Sequence, residues 1–268
     1  MKVIILTRFP RVDSLSWKRR LASQLTDAGA EVSVVYTRSS LRDQLRAGLR
    51  EFGFDTLKRY KDLRPAPRST PSTKPSGQTL AAWAERRGLP VLRFQTLRDP
   101  QCLTELRRLA PDLIILAGAD IVPQAVIDVP RLGVINPHYA LLPRYRGMNV
   151  GEWSVYLDER AGLTIHFVDA GLDTGDILKR THILVESGDT LEAIREKQRQ
   201  RSAELLFEAA LEIGEGRNVR LPQAREEGKQ YYRMHPALRA RAEEKLATGT
   251  YRWLGVPPGD VEDVQRTT

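Results

Sequence analysis

The sequence predicts an α/β fold: a mostly parallel sheet with helices on both faces, followed by a short C-terminal extension. Three observations lead there. Short, continuous apolar runs recur along the chain, too brief for helices and suited to strands buried on both faces. Between them lie segments whose apolar residues are spaced three and four apart, the period of an amphipathic helix. Strands alternating with helices in this way build a parallel sheet in a layered α/β arrangement.

The elements follow in order. Residues 2–6, Lys-Val-Ile-Ile-Leu, run into Thr7-Arg8 and read as a buried first strand. Asp13 or Ser14 can cap a helix that turns Leu15, Leu21 and Leu25 inward. Val32 to Tyr36 reads as the second strand. Leu41, Leu45, Leu49 and Phe52 share one face of a helix. Pro65, Pro67, Pro71 and Pro75 make residues 64–77 a loop. It is not taken as a domain boundary, because the alternation resumes directly: helix near 78–87, strand 90–94, helix 100–109, strand 112–117, strand 133–136. Residues 163–169 alternate apolar and polar, and 176–184 are extended. Asp189 and Glu192 form a capping-box-like start to a long helix over 190–214. The chain thus divides into residues 1–214 and a polar, charged extension, 215–268, with a short strand at 229–233.

Composition excludes several classes. With 41% hydrophobic and 28% charged residues, the 268-residue chain can bury one sizeable core and a smaller appendage. No apolar run approaches the roughly 20 residues of a membrane span, and the apolar start is too brief for a signal peptide. A single cysteine, Cys102, rules out a disulfide framework and a cysteine-cluster metal site. Cytoplasmic location, no membrane and no metal are the resulting expectations. No Gly-x-Gly-x-x-Gly follows the first strand, which argues against a dinucleotide cofactor. The net charge of +8 is concentrated in residues 1–77, with 16 Lys and Arg against 7 Asp and Glu. A basic N-terminal portion suits an anionic partner, although a solvated surface would look the same.

The chemistry concentrates between residues 133 and 176. The strand Leu132-Gly133-Val134-Ile135 delivers Asn136 and His138 at its carboxyl end, where open α/β sheets bind ligands. Pro137 keeps Asn136 extended, so both side chains project to the same side. An amide donor beside an imidazole suits an oxyanion stabiliser with an adjacent acid or base. Downstream, Gly171-Leu172-Asp173-Thr174-Gly175-Asp176 offers two carboxylates in a tight turn, either of which could orient His138. Each motif alone is weak: a lone histidine is usually surface polarity, and Asp-Thr-Gly-Asp is often only a turn.

Together, Asn136-x-His138, Leu141-Leu142-Pro143-Arg144-Tyr145-Arg146-Gly147 and Gly171-Leu172-Asp173-Thr174-Gly175-Asp176 resemble the signature of the folate-dependent formyltransferases. These include methionyl-tRNA, glycinamide ribonucleotide and sugar N-formyltransferases. The resemblance covers about residues 80–210 and includes Pro111-Asp112-Leu113-Ile114-Ile115-Leu116-Ala117-Gly118. It implies a Rossmann-like fold and a transferase that moves a one-carbon unit from 10-formyltetrahydrofolate. It places the catalytic trio on Asn136, His138 and Asp173, with Asp173 chosen over Asp176 as the first carboxylate of the Leu-Asp-x-Gly element. It places the pterin on backbone of two loops, Gly118, Ala119, Asp120, Ile121 and Val122, and Asp169, Ala170, Gly171 and Leu172. Ala140 departs from the family, where Ser or Gly is common. His166 reads as a strand residue supporting the site, and Trp153 and Tyr156 as core.

The acceptor is less legible. After the first strand, Thr7-Arg8-Phe9-Pro10-Arg11 lacks the Gly-Ser-Asn phosphate loop of the glycinamide ribonucleotide enzymes. Residues 215–268 are too few for the C-terminal barrel of the methionyl-tRNA enzymes. A small anionic amine, such as a nucleotide-linked amino sugar, is the expected partner, with Arg8, Arg11 and Lys18 as contacts to an anion. A tRNA acceptor is the second reading; a hydrolase of 10-formyltetrahydrofolate and a silent binding protein are further ones. A homodimer is left open.

Overall fold

The computed structural model describes residues 1–8, 16–37, 80–119 and 121–258. The expected cap at Asp13 or Ser14, Leu15, the helix through Leu41–Phe52 and the Pro-rich stretch 64–77 lie outside the described residues. A seven-stranded sheet organises the rest. Its strands are β1 (Lys2–Arg8), β2 (Glu31–Thr37), β3 (Val91–Phe94), β4 (Leu113–Leu116), β5 (Gly133–His138), β7 (Gly162–Phe167) and β8 (Ile177–His182), in the order β3-β2-β1-β4-β5-β7-β8. The first five are parallel. β7 runs antiparallel to β5, and β8 antiparallel to β7. A separate pair joins β6 (Tyr145–Gly147) to β9 (Lys229–Tyr231) in parallel.

The apolar runs explain the layering. Successive side chains of a strand point to opposite faces. Val3 and Ile5, Val32 and Val34, Leu113 and Ile115 face one side, beneath α1 (Ser16–Asp27), α2 (Leu80–Arg86) and α6 (Leu191–Gly214). Ile4, Leu6, Val35, Ile114 and Leu116 face the other, under α3 (Pro100–Leu109) and α4 (Gln124–Ile127). Leu21 and Leu25 are fully buried on α1, as their spacing predicts. Every residue of β7 is buried, so Thr164 and His166 face other groups and not water.

Helix ends follow their side chains. Asp99 caps α3 by accepting from the Gln101 backbone at 2.9 Å, and Pro100 occupies the first turn, where its missing N–H costs nothing. The cap of α6 departs from expectation. Thr190 accepts from the Ala193 backbone at 3.1 Å, while Asp189 accepts from the Glu186 backbone and pairs with Lys197. Asp189 is one residue too early for the cap.

The C-terminal residues fold back over the molecule. Leu221 and Ile177 exchange backbone hydrogen bonds of 2.8 and 2.9 Å. α5 (Val150–Tyr156) packs against α7 (Pro236–Ala247). Val155, Leu191, Ile194, Ala242, Leu246 and Tyr251 close a small core between them. No helix among the described residues is long and apolar enough to cross a membrane.

Candidate active site

Strand order reverses between β1 and β4, and ligands bind such folds outside the carboxyl ends of the strands near that point. β5 carries Asn136 and His138 to this edge. Its antiparallel register with β7 sets Asn136 opposite His166, and His138 opposite Thr164. The strand continues through Pro137 to His138, two residues further than the sequence suggests. Its pairing to β7 fixes both side chains on one face.

The hydrogen bonds define the protonation pattern. His166 Nδ1 lies 2.7 Å from the carbonyl oxygen of Phe167, so Nδ1 carries the proton and donates. Its Nε2 then accepts from Asn136 Nδ2 at 3.2 Å. Burial pushes the pKa of His166 down to about 4, with the charge of His138 adding to the shift, so the ring is neutral near pH 7. His138 Nε2 donates to the carbonyl oxygen of Tyr145 at 2.6 Å, turning Nδ1 toward Asp173. Asp173 Oδ2 lies 3.5 Å from that nitrogen, and its Oδ1 lies 3.7 Å from His166 Nε2. The two ring nitrogens and the carboxylate fall within 4.8 Å of one another. Such a grouping could also ligate a divalent metal, which the cysteine count did not address.

The segment 141–147 supports this cluster. Tyr145 contributes the carbonyl that fixes His138. Arg146 is buried and donates to Gln223 and to the Ala224 carbonyl. Gly147 donates its backbone N–H to Asp173 Oδ2 at 2.9 Å. A Cβ on Gly147 would sit 2.1 Å from the Tyr231 carbonyl oxygen, at a φ of 104°, so only glycine fits. Asp173 itself adopts the left-handed conformation, φ 54°. Its turn is stapled by Asp169, whose Oδ1 accepts from Gly171 N at 3.0 Å and from Thr174 Oγ1 at 2.7 Å. Asp176 uses its backbone carbonyl on Phe167 N. The carboxylate that reaches the imidazoles is therefore that of Asp173.

Two hollows border the cluster, one lined by Asn136, His166 and Asp173 and the other by His138. A cleft of about 200 Å3 is walled by Ala119, Ile121 and Val122 on one side and by residues 169–172 on the other, with Asn136, His166 and Asp173 at its base. Both expected pterin loops thus face one cleft. Gly118 lies behind it, accepting from the Arg8 backbone at 3.2 Å, and Asp120 is outside the described residues. The second hollow, about 140 Å3, has His138, Gly147, Glu152 and Arg195 among its lining residues. Glu152 Oε1 accepts from Asn149 Nδ2 at 3.1 Å and from Arg195.

Among the other candidates, Lys18 donates to Thr7 Oγ1 at 2.8 Å, Arg8 ends β1, and Arg11 is outside the described residues. Trp153 is only partly buried. It donates from Nε1 to the Tyr232 carbonyl and packs on Tyr231. Ala140 is fully buried, and its carbonyl accepts from Thr164 Oγ1 at 2.7 Å. Sequence reasoning read His166 as a strand residue supporting the site, which is where β7 holds it beside Asn136, and missed Gln223. The Ile165-His166-Phe167 strand opposite Asn136 was the available signal for the first.

Fold and site together place an amide, imidazole and carboxylate cluster at the carboxyl edge of an α/β sheet. The formyl transferase family profile matches residues 11–210, and the chain belongs to that family. It is 38% identical over 138 residues to a methionyl-tRNA formyltransferase of Citrifermentans bemidjiense, covering 51% of this chain and 43% of the relative. A methionyl-tRNA formyltransferase of Geotalea uraniireducens is 32% identical over 187 residues, 65% of this chain and 59% of the relative. The chain thus spans about half the length of these curated relatives. Among solved structures, an N-formyltransferase of Helicobacter canadensis, determined with folinic acid and dTDP-3-aminofucose, superposes with a TM-score of 0.59 at 12% identity, over 95% of this chain and 83% of that one. A phosphoribosylglycinamide formyltransferase of Anaplasma phagocytophilum gives 0.56 at 19% identity, over 87% and 99%. These structural likenesses establish the Rossmann-like fold.

Proposed function

We propose that this protein transfers a formyl group from 10-formyltetrahydrofolate to the amine of a small anionic acceptor, a nucleotide-linked amino sugar being the class that fits best. The observation that carries the reading is the Asn136, His138, His166 and Asp173 cluster at the base of a cleft whose walls are loop backbone and apolar side chains. Such walls suit a flat pterin with a polar edge. The folate binds here as co-substrate.

Neutral His166 takes one N–H of Asn136, leaving the second for the oxyanion that forms as the acceptor amine attacks the formyl carbon. His138 has Nε2–H committed to the Tyr145 carbonyl. A proton on Nδ1 would pair with Asp173 across 3.5 Å, longer than a formed hydrogen bond, and can be shared with the oxyanion when substrate closes the site. Asp173 orients His138 and accepts the proton released by the amine. That proton then passes from Asp173 to the folate nitrogen as its bond to the formyl carbon breaks, so tetrahydrofolate leaves as the neutral amine. The acceptor enters from the hollow between His138 and Arg195, opposite the folate cleft.

The acceptor class rests on the basic N-terminal portion; Arg195 in that hollow is paired with Glu152 and adds no free positive charge. Methionyl-tRNA is the second reading, favoured by the sequence relatives. Tetrahydrofolate release from 10-formyltetrahydrofolate, assayed with nucleotide amino sugars, amino acids or methionyl-tRNA, decides. Release only with an amino sugar supports the proposal. Release only with charged tRNA selects the second reading. Release without any amine identifies a hydrolase, and no release under any condition identifies a silent binding protein.

A further inference from the structure

We propose that the C-terminal strap, residues 221–231, is part of the reaction centre and that Gln223 is the positioning residue for Asp173. The proposal rests on the formyl-transfer reading for its kinetic consequence but on geometry alone for the positioning itself.

Asp173 is a non-glycine residue at φ 54°, a left-handed conformation that aspartate tolerates better than most residues and that aims its carboxylate at the two imidazoles. Gln223 Nε2 donates to the carbonyl oxygens at both ends of the turn, to Gly175 at 2.6 Å and to Asp173 at 3.3 Å. The orientation of this amide is fixed by its other end. Arg146 Nη2 lies 3.2 Å from Gln223 Oε1 and 3.0 Å from the Ala224 carbonyl oxygen. A guanidinium only donates, so the oxygen must face Arg146 and the NH2 must face the two carbonyls. The strap is tied at both ends. Leu221 exchanges two backbone bonds with Ile177, and β9 pairs with β6 through Tyr231 and Gly147. Gly147 in turn donates to the Asp173 carboxylate. Asp173 is therefore gripped at its backbone by the strap and at its side chain by the strand the strap pairs with. Arg146, a residue of the family-like motif, acts here as the brace between them and not as a ligand for substrate.

The test uses Gln223→Glu, Gln223→Ala and, as a control on the same extension, Val219→Ser, whose side chain is exposed. Gln223→Glu keeps the size but turns a carboxylate oxygen toward two carbonyls. The imidazole 1H–15N signals of His138 and His166, assigned in the full chain, report the position of Asp173 without any substrate. Both Gln223 variants are expected to move these signals, with the melting temperature lowered but the chain still folded at the temperature of measurement, while Val219→Ser moves neither. In the tetrahydrofolate-release assay, kcat should fall by up to about 100-fold, the scale of a misplacement near 1 Å. The KM for 10-formyltetrahydrofolate should stay within roughly twofold. Ring signals identical to wild type in both variants would overturn the proposal. So would a rise in KM with kcat intact, which would make the strap a folate-binding element. If the wild type releases no tetrahydrofolate with any amine, the formyl-transfer reading fails, and the ring signals still decide the positioning.

Discussion

Asn136 depends on a neighbour that is held neutral. His166 can accept from Asn136 only while its Nε2 is unprotonated, and burial secures that by pushing its pKa to about 4. Asp173 and Asp169 pull the other way and are outweighed by burial, the larger cause, and by His138. Because the folded pKa lies below the unfolded one, the unfolded chain takes up this proton first as pH falls. The stability is complete above about 6.5 and is lost as pH falls through about 4. Urea unfolding across this window should show that decline, and His166→Phe should flatten it; an unchanged slope would assign the decline to other groups. Asn136→Ala should lower kcat by about 10²–10³, the cost of one oxyanion donor, with folate binding retained by calorimetry. Near-normal turnover would remove Asn136 from the mechanism. Asn136 and His138 stood out because a strand signal precedes them, whereas the turn left Asp173 and Asp176 equal and only the family resemblance chose Asp173. Gln223 was not legible, since its partners are backbone carbonyls about 50 residues away, which no local pattern records.

Elements with their own period and caps were legible to within a residue or two. α3 runs over residues 100–109 as read, because Asp99-Pro100 fixes its start and Leu106 its buried face. α6 was read with the wrong cap, because Asp189 and Thr190 are both good cap residues and only the fold diverts Asp189 to Glu186 and Lys197. Thr190→Ala should therefore cost about 1 kcal/mol in denaturant unfolding, the usual worth of such a cap. A cost near zero would return the role to Asp189. β9 was read as a short strand at 229–233, two residues longer than it is, while β6 lay below the reach of periodicity, since three residues carry no pattern and only Gly147 hints at the close approach. Gly147→Ala should destabilise by about 1–3 kcal/mol, the scale of a forced left-handed residue. It also sets a methyl against the Tyr231 carbonyl. The measurement is thermal unfolding, with exchange protection of the Tyr231 and Met148 amides as the local readout. Retained protection at full stability would show that the strands stay paired and accommodate the methyl at no cost.

At the scale of the molecule, the division into residues 1–214 and an extension raises the question of whether the two unfold together. The small core answers in physical terms. Leu246 and Ala242 of α7 pack with Val155 of α5 and with Leu191 and Ile194 of α6, the same helix whose later turns cover the main sheet. Tyr251 adds a polar tie, accepting from the Ala161 backbone at 3.1 Å and donating to the Glu159 carbonyl at 2.7 Å. Burial raises its phenol well above the usual tyrosine range, so these bonds persist to alkaline pH. A core sharing a helix with its neighbour cannot open without exposing apolar surface on that helix, so the extension should behave as one cooperative unit with the domain. Leu246→Ala, at a site 3% exposed, should cost about 2–5 kcal/mol. The loss should appear as one coincident transition by far-UV circular dichroism and by tryptophan fluorescence, since Trp253 reports the extension and Trp17 the sheet. Two separated transitions in the wild type would show that the extension is a detachable appendage.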